Sequence, residues 1–159
     1  VEAYALDFLS PFSTCAVFYL GVVVLAALGW IGWAGPFQRA GFYLALFTLA
    51  LHSAALLTRM WVMGRPPVTN LYSSAVFIGW GAVPLCLVLE RVYRNGIGNM
   101  VAGAAGAATL FLANFLGGSG DTMALLQAVL DTNFWLAVHV TTVTLGYTAT
   151  FVAGLIAVA

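Results

Sequence analysis

FSTCAVFYLGVVVLAALGWIGW, residues 12 to 33, carries no charged side chain. A helix needs about 20 predominantly apolar residues to cross the hydrocarbon core of a bilayer. This run meets that length, and it sets lipid as the solvent for the rest of the chain. Four further segments are also long and predominantly apolar: 40–62, 71–89 with Pro84 as a kink point, 97–116, and 133–159. Gly35-Pro36 separates the first segment from the second. The fold read from the sequence is an all-α polytopic integral membrane protein of about five transmembrane helices. A short surface helix is expected over 121–130, capped by Asp121 or Thr122, with Leu125, Leu126 and Val129 on its apolar face.

Composition agrees. The chain of 159 residues is 63% hydrophobic and 6% charged, against about 25% charged in an average soluble domain. Five arginines balance five acids and there is no lysine, which argues against a nucleic-acid partner. Cys15 and Cys86 stand far apart in apolar segments and read as small core residues. The N-terminus carries Glu2 and Asp7 without the basic region of a signal peptide. The C-terminal run Leu155–Ala159 ends in apolar residues without a cap, as expected for residues 1–159 forming one membrane domain at the N-terminal part of a longer protein.

Alternating the spans puts the N-terminus, the 63–70 loop and the 117–132 loop on one side. Arg39, Arg91 and Arg94 fall on the other, where they outnumber Arg59 and Arg65. The positive-inside rule then places the 63–70 loop outside. Small residues crowd 102–108, and Gly146, Thr150 and Gly154 recur at four-residue spacing. Both patterns suit close helix contact in lipid, so the fourth and fifth helices are expected to be interior.

Both histidines fall within membrane segments, where an ionisable residue is costly and marks a candidate site. His139 has Trp135 at i−4, Thr142 at i+3 and Gly146 at i+7 on one helix face. An aromatic above and small residues below leave room for a flat ligand, and neutral imidazole is a good axial ligand for haem iron. A histidine bonded to a neighbouring helix is the alternative. His52 shares a face with Thr48 and Arg59. The seven-residue step to Arg59 is about 10 Å, the reach from haem iron to a propionate, though a packed polar stripe gives the same spacing. One haem between both histidines, as in a b-type electron carrier, requires them to overcome a depth difference of roughly 7 Å.

RPPVTNLYSSAVFIGW, residues 65–80, joins the second segment to the third. Pro66 and Pro67 hold the chain extended and bias Arg65 away from helix. Thr69 or Asn70 then caps the third helix. The N–H groups of Leu71, Tyr72 and Ser73 would face outward at the positive end of the helix dipole. With Arg65 nearby and Tyr72, Val76 and Trp80 on one face, the stretch reads as a shelf for the carboxylates of an apolar ligand, or as an interfacial turn with aromatic anchors. Nothing resembles a paired-carboxylate site, a Walker loop or HExxH, and Asp131 reads as a cap of the fifth helix or as paired with a neighbour.

PPVTNLYSSAVFIGWG and VLDTNFWLAVHVTTVTLGYTATF, separated by a Gly/Ala-rich helix, together resemble the CcsA (ResC) family of System II cytochrome c maturation. The resemblance runs from about residue 40 to the end. It implies a component of a cytochrome c haem lyase that, with a CcsB (ResB) partner, brings haem b to the outer membrane face for attachment to the CxxCH thiols of apocytochrome c. It places the chain in a bacterial inner membrane or a thylakoid-type membrane. It implies that His139 is the first of two external histidines on haem iron, and that the Asn70-Leu71-Tyr72 turn lies on the outer side near that site.

Ser73 stands where many members carry Glu, so no carboxylate role transfers there. The Trp-rich WGxxWxWD segment and the second external histidine are absent from this sequence, and this piece alone is expected to be inactive in synthesis. His52 matches no ligand position of the family. The competing expectations are a haem-free membrane transport or structural subunit, and a bis-His carrier using His52 and His139.

Overall fold

The computed structural model describes residues 11–32, 34–64, 66–117 and 133–158. They form five helices: α1 (Pro11–Ile31), α2 (Ala34–Met63), α3 (Leu71–Tyr93), α4 (Ile97–Gly117) and α5 (Asn133–Val158). All five are long and apolar enough to cross a membrane. The expected surface helix at 121–130, Arg65 and Asp131 lie outside the described residues.

Two boundaries differ from the sequence reading. α2 begins at Ala34, so Gly35-Pro36 does not separate helices but sits in the first turn. Proline is at home there, because the first N–H groups of a helix have no intrahelical acceptor to lose. α3 stays helical through Pro84 and runs to Tyr93.

α4 is the centre of the bundle and packs against α1, α2, α3 and α5. Its small residues make this possible. A Cβ on Gly103 would stand 2.8 Å from the Tyr19 carbonyl oxygen, and one on Gly106 2.8 Å from the Tyr19 ring. The α1 backbone and the fully buried Tyr19 therefore lie directly on the α4 surface. With no hydrophobic drive between helices in lipid, such close van der Waals contact carries the association.

The remaining cohesion is polar and local. Trp80 donates from Nε1 to Ser53 Oγ at 2.8 Å, joining α3 to α2. Asn99 Nδ2 donates to the carbonyl oxygen and to Oε1 of Gln38, joining α4 to α2, and Gln38 Nε2 donates to the Ala26 carbonyl of α1. Hydroxyls of Thr48, Ser53, Thr109 and Thr148 donate back to carbonyls one turn earlier, which satisfies them without water. Cys15 and Cys86 are free and buried, as read from the sequence. Outward, α1 presents Val17, Leu20, Val24, Leu28 and Ile31, an apolar strip suited to lipid.

α5 does not follow the expectation of an interior helix among the described residues. It packs mainly on α3 through Thr144, Thr148 and Val152. Gly146 and Gly154 lie on its open side, where an added Cβ would meet nothing within 4 Å.

Candidate functional site

Pro66, Pro67 and the helix start that follows them are built around Asn70. Its backbone is extended (φ −153°, ψ 178°), and its side-chain oxygen accepts the Ser73 N–H at 2.8 Å. The Ser74 N–H reaches the Asn70 carbonyl at 2.9 Å. Asn70 rather than Thr69 is therefore the cap, and the cap consumes one of the three donors that the sequence reading assigned to an anion shelf. Tyr72 is also engaged. Its ring lies 4.7 Å from Arg59 Cζ, a cation–π contact, and 6.4 Å from the ring of Phe12.

His52 is fully buried in the α1–α2–α3 core. Tyr19 Oη stands 3.4 Å from its Nδ1. Phe12 and Tyr19 meet the imidazole edge to face, with ring centroids at 5.7 and 6.1 Å. The Val76 backbone faces the ring, while Nε2 forms no well-aligned hydrogen bond among the described residues. Phe12 touches both His52 and Tyr72, and Tyr72 carries Arg59. Along the strip from His52 to Arg59, Phe12 and Tyr72 thus link the two by ring contacts.

His139 is placed oppositely. It sits in the second turn of α5, is exposed, and has no hydrogen-bond or ring partner among the described residues. Trp135 is exposed on the same face and meets Phe134 edge to face at 5.5 Å. Thr142 and Gly146 continue that face, and around Gly146 the surface is open.

Between α2, α3, α5 and the proline turn lies an apolar cavity of about 1080 Å³. Ser53, Met60, Trp61, Pro67, Trp80 and Thr141 are among its walls. That is at the upper end of the roughly 300–1,000 Å³ usual for ligand pockets. Thr141 faces it, and two residues along a helix amount to about 200° of rotation. His139 therefore points away from the cavity, on the far side of α5. The structure gathers His52, Arg59 and Tyr72 into one packed cluster with Asn70 in the adjoining turn, and sets His139 and Trp135 on a separate, open face. It brings no two imidazoles together.

Sequence reasoning missed the polar hub at the opposite end of the bundle. Glu90 is buried, and its two carboxylate oxygens accept the N–H groups of Gly96 and Gly98, each at 3.0 Å. The carboxylate thereby caps the start of α4 from the end of α3. An acid inside an apolar run, six residues before a glycine-flanked helix start, was the available signal.

The fold and the open imidazole define a polytopic membrane protein with a candidate ligand-binding face near one end of its last described helix. No protein-family model and no solved structure matches the chain. Among curated proteins, it is 32% identical to cytochrome c biogenesis protein CcsA of Synechococcus sp. (strain CC9605) over 142 residues, 87% of this chain and 46% of that protein. It is 30% identical to the CcsA of Crocosphaera subtropica over 155 residues, 96% of this chain and 44% of the relative. It is 36% identical to the CcsA of Microcystis aeruginosa over 108 residues, 67% of this chain and 33% of the relative. The chain belongs to the CcsA family, and it spans less than half the length of these relatives.

Proposed function

We propose that this chain forms part of the haem-handling membrane domain of a cytochrome c synthase, with His139 as one axial ligand of haem b. The observation that carries the reading is the contrast between the two histidines. His52 is enclosed by Phe12 and Tyr19, whereas His139, without a partner among the described residues, presents its imidazole on an open face near one helix end. The residues present fit one side of a flat, apolar group. His139 offers a ring nitrogen, Trp135 offers an aromatic wall one turn nearer the helix start, and Gly146 leaves the surface beneath unobstructed. The facing wall, on this reading, belongs to the part of the family's length that this chain does not span.

When bound, haem supplies the vinyl groups to which the CxxCH thiols of apocytochrome c add. The work of this chain is to hold and orient. The side chain of Asn70 fixes the turn, and Tyr72 with Arg59 locks that turn to α2. These residues act as the scaffold from which α3 and then α5 are hung. A CcsB-like membrane protein is the proposed partner. The proposed location is a bacterial inner membrane or a thylakoid-type membrane, with His139 toward the outer side.

The test is the pigment of the full-length family protein to which this sequence corresponds. Purified in detergent, it is expected to carry non-covalent haem b, seen as a b-type pyridine haemochrome after extraction. A preparation colourless in both oxidised and reduced conditions would favour a haem-free transport or structural subunit.

A further inference from the structure

At the end of the bundle remote from His139, the structure opens a second cavity of about 410 Å³ between the start of α2 and the end of α3. Arg39, Arg91 and Arg94 line it, together with Trp30, Tyr43 and Glu90. Three arginines thus line one small space. Glu90 is the only acidic side chain among the described residues, and both its oxygens are committed to the backbone N–H groups that open α4. The three arginines have no ion-pair or hydrogen-bond partner among the described residues.

Helix dipoles account for part of this arrangement only. Arg91 lies in the last turn of α3 and Arg94 is its C-cap residue, where positive charge is favoured. Arg39 is the sixth residue of α2, beyond the first turn in which the dipole acts. The positive-inside rule sets the side on which all three lie, and the cavity they share is the feature it leaves unexplained.

We propose that this cavity binds the phosphate headgroup of an anionic phospholipid. Three features of the surroundings select a lipid. The cavity lies at the ends of membrane-spanning helices, so it opens at the level of the headgroups. Trp30 and Tyr43 are exposed beside it, as aromatic side chains are at a bilayer interface. From Tyr43 an exposed apolar strip of Leu46, Phe47 and Leu51 descends along α2 toward the membrane centre, a track for an acyl chain. Basic pockets between helices on the arginine-rich side of a membrane are suited to such headgroups. The proposal is independent of the haem reading, since no residue of the His139 face takes part.

The experiment is native mass spectrometry of the whole protein, delipidated and then titrated with phosphatidylglycerol, phosphatidylcholine or inorganic phosphate. Phosphatidylglycerol is expected to bind in preference to phosphatidylcholine. Each arginine near a membrane surface contributes about fivefold in affinity, so Arg39→Gln combined with Arg91→Gln is expected to weaken phosphatidylglycerol by roughly twentyfold or more. Both substituted arginines are exposed, and an unchanged elution volume of the double variant verifies that it is folded. Equal binding of the two lipids, or phosphatidylglycerol binding retained by the double variant, would overturn the proposal. So would full competition by millimolar phosphate, which would make a soluble phosphate the ligand.

Discussion

Two histidines of one chain meet opposite surroundings, and packing separates them where chemistry does not. His52 fills a space closed by Phe12, Tyr19 and α3. Truncating it leaves a void that rigid neighbours cannot close, and His52→Ala is expected to cost about 2 kcal/mol, read as a lower melting temperature in detergent. Asn70 is a second residue whose part is structural. Asn70→Ala removes the acceptor of the Ser73 N–H and is expected to cost about 1 kcal/mol, while Asn70→Asp retains most of the cap. Ser53 and Trp80 couple α2 to α3 through one bond at 2.8 Å. A double-mutant cycle with Ser53→Ala and Trp80→Phe should return a coupling of about 0.6 kcal/mol, the usual scale between membrane helices.

At the level of elements, the bundle depends on what α4 lacks. Tyr19 and the α1 backbone occupy the space that side chains at Gly103 and Gly106 would need. Gly106→Val is expected to push α1 away and cost about 1–3 kcal/mol, seen as lowered thermal stability, whereas Gly146→Val on the open side of α5 should leave the fold unaffected. Lipid makes helix orientation hard to read from sequence. In water the buried face is the apolar one, but in a bilayer both faces of α5 are apolar. The glycine spacing of α5 therefore read as interior, yet its recorded burial is on Thr144, Thr148 and Val152. The run of small residues at 102–108 in α4 does lie largely inside the bundle, because there the small residues are continuous around the helix.

Across the whole molecule, the number and order of the spans were legible because hydrocarbon thickness imposes a length on every helix. The start of α2 was not, since Pro36 is tolerated in a first turn as readily as in a loop. That His139 is a candidate site was legible from residue type and depth. Its separation from Asn70 and Tyr72 was not, because that depends on which side of α5 meets α3. The Glu90 hub went unread because its partners are backbone N–H groups, which have no letter in a sequence. Glu90→Ala would strand both N–H groups and is expected to destabilise the protein by about 2–3 kcal/mol, with Glu90→Gln milder. A four-helix core, with its polar hub at one end, carries a fifth helix that offers an imidazole outward near the other.

The central claim is that the outward imidazole, and not the enclosed one, holds iron. Haem bound per folded full-length protein, measured in His139→Ala and in His52→Ala, tests it most directly. The account predicts that His139→Ala loses haem by at least about the tenfold that removing a mere outer-sphere partner costs, while His52→Ala keeps it. Haem retained at the parent level in His139→Ala would contradict it.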